Sequence, residues 1–183
     1  MIRFLLPELG EEEGWSRLET LAGRGPMPRF SDAALDFLHA VSGAILRDPA
    51  MRRHPELMAA AFWLRRPQLE ALVRDAEARS AGKLLRPRGT ALHFAPSNVD
   101  TIFLYSWALS LLAGNANIVR LSQRRSEQTE ILLAVLDRTL RSAEAFAPIR
   151  ERTAFVSYPH DARTTERLSA LCDVRVIWGG DET

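Results

Sequence analysis

The stretch RPRGTALHFAPSNVDTIFLYSWALSLLAGNANIVRLS, residues 86–122, decides the fold. Thr90–Ala95 is a short apolar run, which is typical of a strand buried on both faces. Residues 101–113 carry no charge and repeat large apolar side chains at helical spacing, and Gly114 stands where a left-handed residue ends a helix. Asn117–Leu121 then resumes as a strand. A strand, a helix and a second strand within this length predict a βαβ unit with parallel strands.

The pattern of this unit continues toward the C-terminus. A helix over 128–142, a strand over 153–158, a helix over 161–171 and a strand over 174–178 follow in turn. Strands that alternate with helices of this length predict an α/β fold built on a doubly wound parallel sheet.

Ligands of such sheets bind at the carboxyl ends of the strands, where the strand order reverses. For four strands we expect the reversal between the first and the fourth. The loops 96–100 and 179–182 would then face the ligand.

Residues 11 to about 80 show helical patterns and no strand signal. Ser31 is a candidate N-cap for a helix over 32–46, and Pro55 and Pro67 each open a further helix. We therefore divide the chain into a helical N-terminal segment, 1–85, and an α/β domain, 86–183.

Composition excludes several classes of function. The 183 residues carry 24 basic and 23 acidic side chains, so nothing electrostatic favours nucleic acid as a partner. The longest uncharged stretch holds about thirteen apolar residues before Gly114 and Asn115 interrupt it, which is too short to cross a membrane. One cysteine excludes an internal disulfide. We expect a cytoplasmic protein.

The pieces PRGTALHFAPSNVDT, LLAGNANIVRLS and VRVIWGGDET together resemble the acyl-CoA reductases of the aldehyde dehydrogenase superfamily, the branch that includes the fatty-acid reductases of bacterial bioluminescence. The resemblance implies a Rossmann-like cofactor domain of the aldehyde dehydrogenase type over 86–183. It also implies reduction of a fatty acyl-CoA thioester to an aldehyde through an acyl-cysteine intermediate.

The resemblance assigns roles to the residues around the first turn. Asn98 matches an oxyanion-hole amide, although an asparagine here could equally cap the following helix. Ala95, Pro96 and Ser97, at the end of the first strand and in its turn, are expected cofactor contacts.

The resemblance also assigns cofactor contacts at the ends of the second and fourth predicted strands of the α/β domain. Arg120 matches a basic residue that contacts the adenosine ribose or its phosphate, with Ser122 beside it. Gly179 and Gly180 match a turn where backbone approaches the cofactor pyrophosphate.

The residues after Ser122 favour NADP over NAD. Relatives that prefer NAD often place an acid here, whereas this chain has Gln123, Arg124 and Arg125, and a guanidinium can bind a 2′-phosphate. Taken singly, Arg124 and Arg125 are more simply solvated turn residues.

Two departures from the family pattern stand out. Asp100 occupies a position that is often proline, and the acid weakens the helix N-terminus as an anion site. The family's nucleophilic cysteine lies beyond the glycine turn. Cys172 lies between a helix and a strand, beside Asp173, and we interpret it as a structural thiol.

His93 lies within the first predicted strand of the α/β domain, and we interpret it as an interior or edge residue whose hydrogen bonds are satisfied.

These expectations define one principal function and two alternatives. The principal one is NADPH-dependent reduction of acyl-CoA, in which this chain supplies the cofactor-binding part, is inactive alone, and self-associates or binds a completing chain. The first alternative is a non-catalytic protein that keeps a truncated dehydrogenase fold for binding or assembly. The second is a small, unrelated Rossmann-like enzyme that works through Asn98 and His93.

Overall fold

The architecture is a six-stranded sheet with helices on both faces, described by a computed structural model over residues 1–96 and 101–178. The strands are β1 (Arg3–Leu6), β2 (Glu8–Leu9), β3 (Thr90–Phe94), β4 (Ala116–Leu121), β5 (Thr153–Ser157) and β6 (Val174–Ile177). The α-helices are α1 (Glu11–Ala22), α2 (Asp32–Arg47), α3 (Pro55–Trp63), α4 (Arg66–Arg79), α5 (Ile102–Leu112), α6 (Glu127–Arg141), α7 (Ala147–Arg150) and α8 (Ala162–Ala170).

The strand order is β2-β1-β5-β4-β3-β6, and β3, β4, β5 and β6 run parallel. The chain progresses from β3 to β4 to β5 in one direction and then returns to place β6 on the other side of β3. The predicted reversal between the first and fourth strands of the α/β part is therefore confirmed.

The sheet is mixed rather than wholly parallel, which corrects the prediction. β1 pairs antiparallel with both β5 and β2, so a short hairpin extends the sheet beyond β5. The segment described as helical from its sequence therefore begins with two strands. These strands are only four and two residues long, and their stability comes from pairing with β5, which local sequence does not reveal.

One local signal could have shown β1. Ile2, Phe4 and Leu6 alternate with more exposed residues, the period of a strand. Pairing with β5 shifts register between Phe4 and Leu6, and this irregularity turns Leu6 toward the opposite face from Ile2 and Phe4.

One face of the sheet carries most of the helices. Side chains from α2, α3, α4, α5 and α6 share a core with Val119 of β4 and Phe155 of β5. Trp107 of α5 is fully buried at its centre, edge-on to Phe37 of α2, with ring centroids 5.8 Å apart. The uncharged character of α5 thus follows from its burial between the sheet and the helical segment.

The opposite face is covered by α1 and α8. Leu18 of α1 and Leu168 of α8 pack on Leu92, Ile118 and Val156, which are the alternate residues of β3, β4 and β5. Helices on both faces explain why the parallel strands read as nearly continuous apolar runs.

Two local predictions about chain turns are confirmed. The Ser31 hydroxyl accepts a hydrogen bond from the Ala34 backbone N–H at 3.4 Å and caps α2. Gly114 adopts φ +89° after α5, and a side chain there would lie 2.3 Å from the Met27 carbonyl oxygen. Glycine is required at this position both by its left-handed backbone and by this close approach.

Within the described parts of the chain, no helix combines the length and apolar character that crossing a membrane requires.

Candidate functional site

The candidate site lies where β4, β3 and β6 end, at the reversal of strand order. Phe94 is the register partner of Arg120 on one side and of Ile177 on the other, so the three side chains form a row on the α8 face. Tyr158 directly follows β5, two residues beyond Val156, which is the register partner of Arg120, and its ring contacts the Arg120 guanidinium. We call Phe94, Arg120, Tyr158 and Ile177 the Arg120 platform.

Arg120 is held in place by Tyr158 and still has donors to offer. Its Nη2 donates to the Tyr158 carbonyl oxygen at 3.3 Å, and its guanidinium carbon lies 5.4 Å from the centroid of the Tyr158 ring. The Tyr158 ring is buried, and its hydroxyl lies 3.1 Å from Thr165 Oγ1 of α8. A buried, anchored ring therefore orients a half-buried cation whose remaining N–H groups have no partner among the described residues.

The other half of the platform is apolar and open. Ile177 is 57% exposed and Phe94 is partly buried, although both belong to strands. The arrangement can hold a flat apolar group against Phe94 and Ile177 while the Arg120 guanidinium binds an anion. Sequence reasoning identified Arg120 but missed Phe94, Tyr158 and Ile177, because their proximity depends on the register of four strands.

In the turn after β4, Arg124 and Arg125 differ in their exposure to solvent. The Ser122 hydroxyl accepts a hydrogen bond from the Arg124 backbone N–H at 3.2 Å, and the Arg124 side chain is exposed. Arg125 is not a solvated turn residue, since its side chain is only 12% exposed and pairs with Glu130 of α6. The interpretation of Arg125 as solvated is therefore wrong, and only Arg124 of this pair faces solvent.

The other site residues predicted from the sequence lie outside the Arg120 platform or outside the described residues. Ala95 is buried on the α5 face, opposite to Arg120, and its backbone N–H donates to the Arg120 carbonyl oxygen at 3.1 Å. Pro96 is the last described residue of this turn and is partly exposed. The other four predicted site residues lie outside the described residues: Ser97, Asn98, Gly179 and Gly180.

A chain of buried polar groups occupies the α5 face, from His93 near the carboxyl end of β3 to Asn117 near the amino end of β4. His93 is 1% exposed, with Nδ1 2.8 Å from Ser106 Oγ of α5 and Nε2 3.0 Å from Asn117 Oδ1 of β4. Trp178 Nε1 donates to the same Ser106 oxygen at 2.9 Å, and Asn117 Nδ2 donates to the Asn115 carbonyl oxygen at 2.8 Å. His93 is thus a satisfied interior residue, as its sequence context indicated.

These partners assign the tautomer of His93. Because the Asn117 amide nitrogen already donates elsewhere, its oxygen faces Nε2, which must carry the proton. Nδ1 then accepts from the Ser106 hydroxyl. Burial lowers the pKa of His93, and the hydrogen bond with Asn117 opposes that shift only in part. The ring is therefore neutral at pH 7, and both of its nitrogens are occupied.

Cys172 has the surroundings of a structural thiol. Burial, with a smaller contribution from Asp173, raises the pKa of Cys172 to about 12, and its Sγ lies 3.1 Å from the Leu168 carbonyl oxygen. It precedes β6 and so lies at the amino end of the sheet, away from the Arg120 platform. A thiol that stays protonated at neutral pH is a poor nucleophile.

Asp161, after β5, has a structural role. The Asp161 carboxylate accepts from the Arg163 backbone N–H at 3.2 Å and from the Thr164 hydroxyl at 2.5 Å, which caps α8. Among residues 1–96 and 101–178, no three metal-ligating side chains come together.

Comparison with known families identifies the chain. A family model described as acyl-CoA reductase (LuxC) matches residues 52–183, well over half of the sequence. The chain belongs to the LuxC-type acyl-CoA reductase family. No curated protein matches it. The matched region includes β3 to β6 and the whole Arg120 platform, whereas β1, β2, α1 and α2 lie outside it.

Membership confirms the resemblance drawn from the sequence. A LuxC-type acyl-CoA reductase is an oxidoreductase that acts on an acyl-CoA thioester with a nicotinamide cofactor. The residues present suit such a cofactor, since the Arg120 platform offers an apolar surface beside a cation at the reversal of strand order.

Proposed function

We propose that this chain supplies the cofactor-binding part of an NADPH-dependent fatty acyl-CoA reductase, on a Rossmann-like sheet of the aldehyde dehydrogenase type. The bound nicotinamide cofactor supplies the hydride that reduces the thioester to an aldehyde. The observation that carries the proposal is the Arg120 platform, because a single anchored guanidinium beside exposed apolar side chains suits an adenosine phosphate.

The proposal assigns separate tasks to residues of the platform and to the other predicted site residues. Phe94 and Ile177 contact the adenine, and Arg120 binds the ribose or its phosphate. Ser122 and Arg124 lie in the turn immediately beyond, where the exposed Arg124 guanidinium favours a 2′-phosphate. Asn98 stabilises the oxyanion of the reacting carbonyl, and Gly179 and Gly180 allow backbone to approach the pyrophosphate.

We further propose that the chain does not turn over by itself. The resemblance implies an acyl-cysteine intermediate, and the sequence contains one cysteine, whose thiol is half-buried with a pKa of about 12. Because a second copy would carry the same cysteine, another polypeptide would have to supply the nucleophile.

The proposal is tested by calorimetric titration of the purified chain with NADPH and, separately, with NADH. We expect saturable binding that favours NADPH and is about tenfold or more weaker in Arg120→Ala, because a charge-assisted hydrogen bond contributes about 1.5–3 kcal/mol. Arg79→Ala, which removes the same charge from α4, is the matched control and should bind as the parent chain does.

Two results would contradict the proposal. Absence of heat with both cofactors, in a sample that circular dichroism shows to be folded, would remove the cofactor role and favour the non-catalytic alternative. Aldehyde formation by the chain alone, with acyl-CoA and NADPH, would overturn the claim that a nucleophile must come from elsewhere.

A further inference from the structure

A cavity of about 350 Å³ lies far from the Arg120 platform. Its walls are α1, the C-terminal ends of α6 and α7, and the turn between β1 and β2. Because α7 leads directly into β5, the cavity lies at the amino end of the parallel strands, whereas the platform lies at their carboxyl end. Its volume is at the lower limit of small-molecule sites, which begin at about 300 Å³.

Cations outnumber anions in the wall of the cavity. Four arginines line it together with two carboxylates: Arg17, Arg24, Arg141 and Arg150, with Asp137 and Glu151. Arg24 pairs with Glu151 at 2.7 Å and Arg141 with Asp137 at 2.9 Å. The other two arginines, Arg17 and Arg150, form no ion pair with either of these carboxylates.

Part of this arrangement is explained by helix ends. Arg17 donates to the carbonyl oxygens of Arg150 and Glu151 at 2.8 and 3.0 Å, and Arg150 donates to that of Leu140 at 3.0 Å. These contacts satisfy the last carbonyls of α6 and α7, a common use of arginine. Outside the cavity wall, Arg150 also approaches Glu144 at 3.6 Å, where the carboxylate is 89% exposed.

Two observations are not explained by the capping of helix ends. Arg24 Nε is buried and finds no acceptor among the described residues, although buried donors in folded proteins are nearly always paired. Burial and the nearby charges of Arg24 and Arg150 lower the pKa of Arg17, and Glu151 opposes this shift only in part, so the positive charge of Arg17 is incompletely compensated. An anion in the cavity would provide the missing acceptor, after a rotation of the Arg24 side chain, and the missing negative charge.

We propose that this cavity is an anion site that binds a phosphate group, either free phosphate or a phosphate monoester, through Arg17 and Arg24. Guanidinium groups present paired donors that match the oxygens of a phosphate. The site lies at the amino ends of the parallel strands, whereas the Arg120 platform lies at their carboxyl ends. The proposal is therefore independent of the cofactor role.

Calorimetry at constant ionic strength tests the proposal, with inorganic phosphate and glycerol 3-phosphate as probes. We expect saturable binding with a dissociation constant below about 1 mM, weakened about tenfold or more in Arg24→Ala. Arg24→Lys keeps the charge but loses the paired donors, so we expect an intermediate loss. Arg138→Ala is the matched control, because Arg138 is an exposed residue of α6 outside the cavity.

The outcomes separate the alternatives. Tighter binding of the monoester would identify an organic phosphate as the ligand, and equal binding would identify the phosphate group alone. An equal loss in Arg24→Ala and Arg138→Ala would show a nonspecific effect of net charge and overturn the proposal. So would absence of saturable binding to the folded parent chain, or an unchanged affinity in Arg24→Ala.

Discussion

The two faces of the sheet differ along β3 and β4. On the α5 face, His93, Ser106 and Asn117 are buried and hydrogen-bonded to one another. On the α8 face, Arg120 is half-buried and Ile177 is 57% exposed. The same part of the sheet therefore presents a closed polar chain on one face and an open platform on the other.

The difference separates a structural role from a binding role. A ligand could reach His93 only by displacing Ser106 or Asn117 and leaving a buried group without its partner, which costs about 1–3 kcal/mol. Arg120 requires no such displacement, because Tyr158 occupies only part of its donor set. This comparison argues against the alternative enzyme that would use His93 as a base.

The largest expected effect comes from His93→Ala. It creates a cavity and leaves Asn117 Oδ1 and Ser106 Oγ with one partner fewer, so we expect the free energy of unfolding to fall by about 2–4 kcal/mol. Arg120→Ala should cost less than about 1 kcal/mol, since it removes a partly exposed cation–π contact and one hydrogen bond. Urea unfolding followed by circular dichroism measures both, and equal losses would contradict the division between the two faces.

A second effect is a pH dependence of stability that arises from the α5 face. The folded-state pKa of His93 lies below its unfolded value of about 6.5, so the unfolded chain binds a proton that the folded chain does not. Stability is therefore complete above pH 6.5 and decreases as the pH falls below it, by up to about 1.4 kcal/mol per pH unit for this one group.

Urea unfolding between pH 7.5 and 5.5 tests this dependence against His93→Gln, which cannot titrate in that range. The parent chain should lose stability more steeply than the variant as the pH falls. Parallel curves would show that His93 does not contribute, and that its surroundings do not hold it neutral.

A further effect is expected from Ser106→Ala. It removes the acceptor of the Trp178 indole and the donor to His93, for a loss of about 1–2 kcal/mol. Because Trp178 is 40% exposed, its release should also shift tryptophan fluorescence to longer wavelength. Ser110→Ala, one turn along α5, is the control and should leave the emission unchanged; a shift in the control as well would indicate a general loosening of α5.

Much of the α/β part could be predicted from local sequence. The βαβ pattern of residues 86–122, the glycine that ends α5 and the cap of α2 each depend on neighbouring residues, and each is confirmed. The hairpin of β1 and β2 could not be predicted with the same certainty, because strands this short are stable only through pairing with β5.

The candidate site was predicted less completely than the fold. Arg120 could be identified because a family motif includes it, whereas Arg125 was interpreted wrongly because its partner Glu130 lies on the following helix. Phe94 and Ile177 gave no local signal, since exposure at a strand end depends on which helices cover it.

By itself, the sequence determined the family, the order of most helices and strands, and the reversal of strand order, because periodicity, turn residues and short motifs act over neighbouring positions. Only the tertiary structure decided which polar residues are satisfied and which remain open. That choice depends on strand register and helix packing, which bring His93 to Ser106 and Asn117 on one face and leave Arg120 beside Ile177 on the other. The arginine cavity has the same origin, since α1, α6, α7 and the first hairpin meet only in the folded chain.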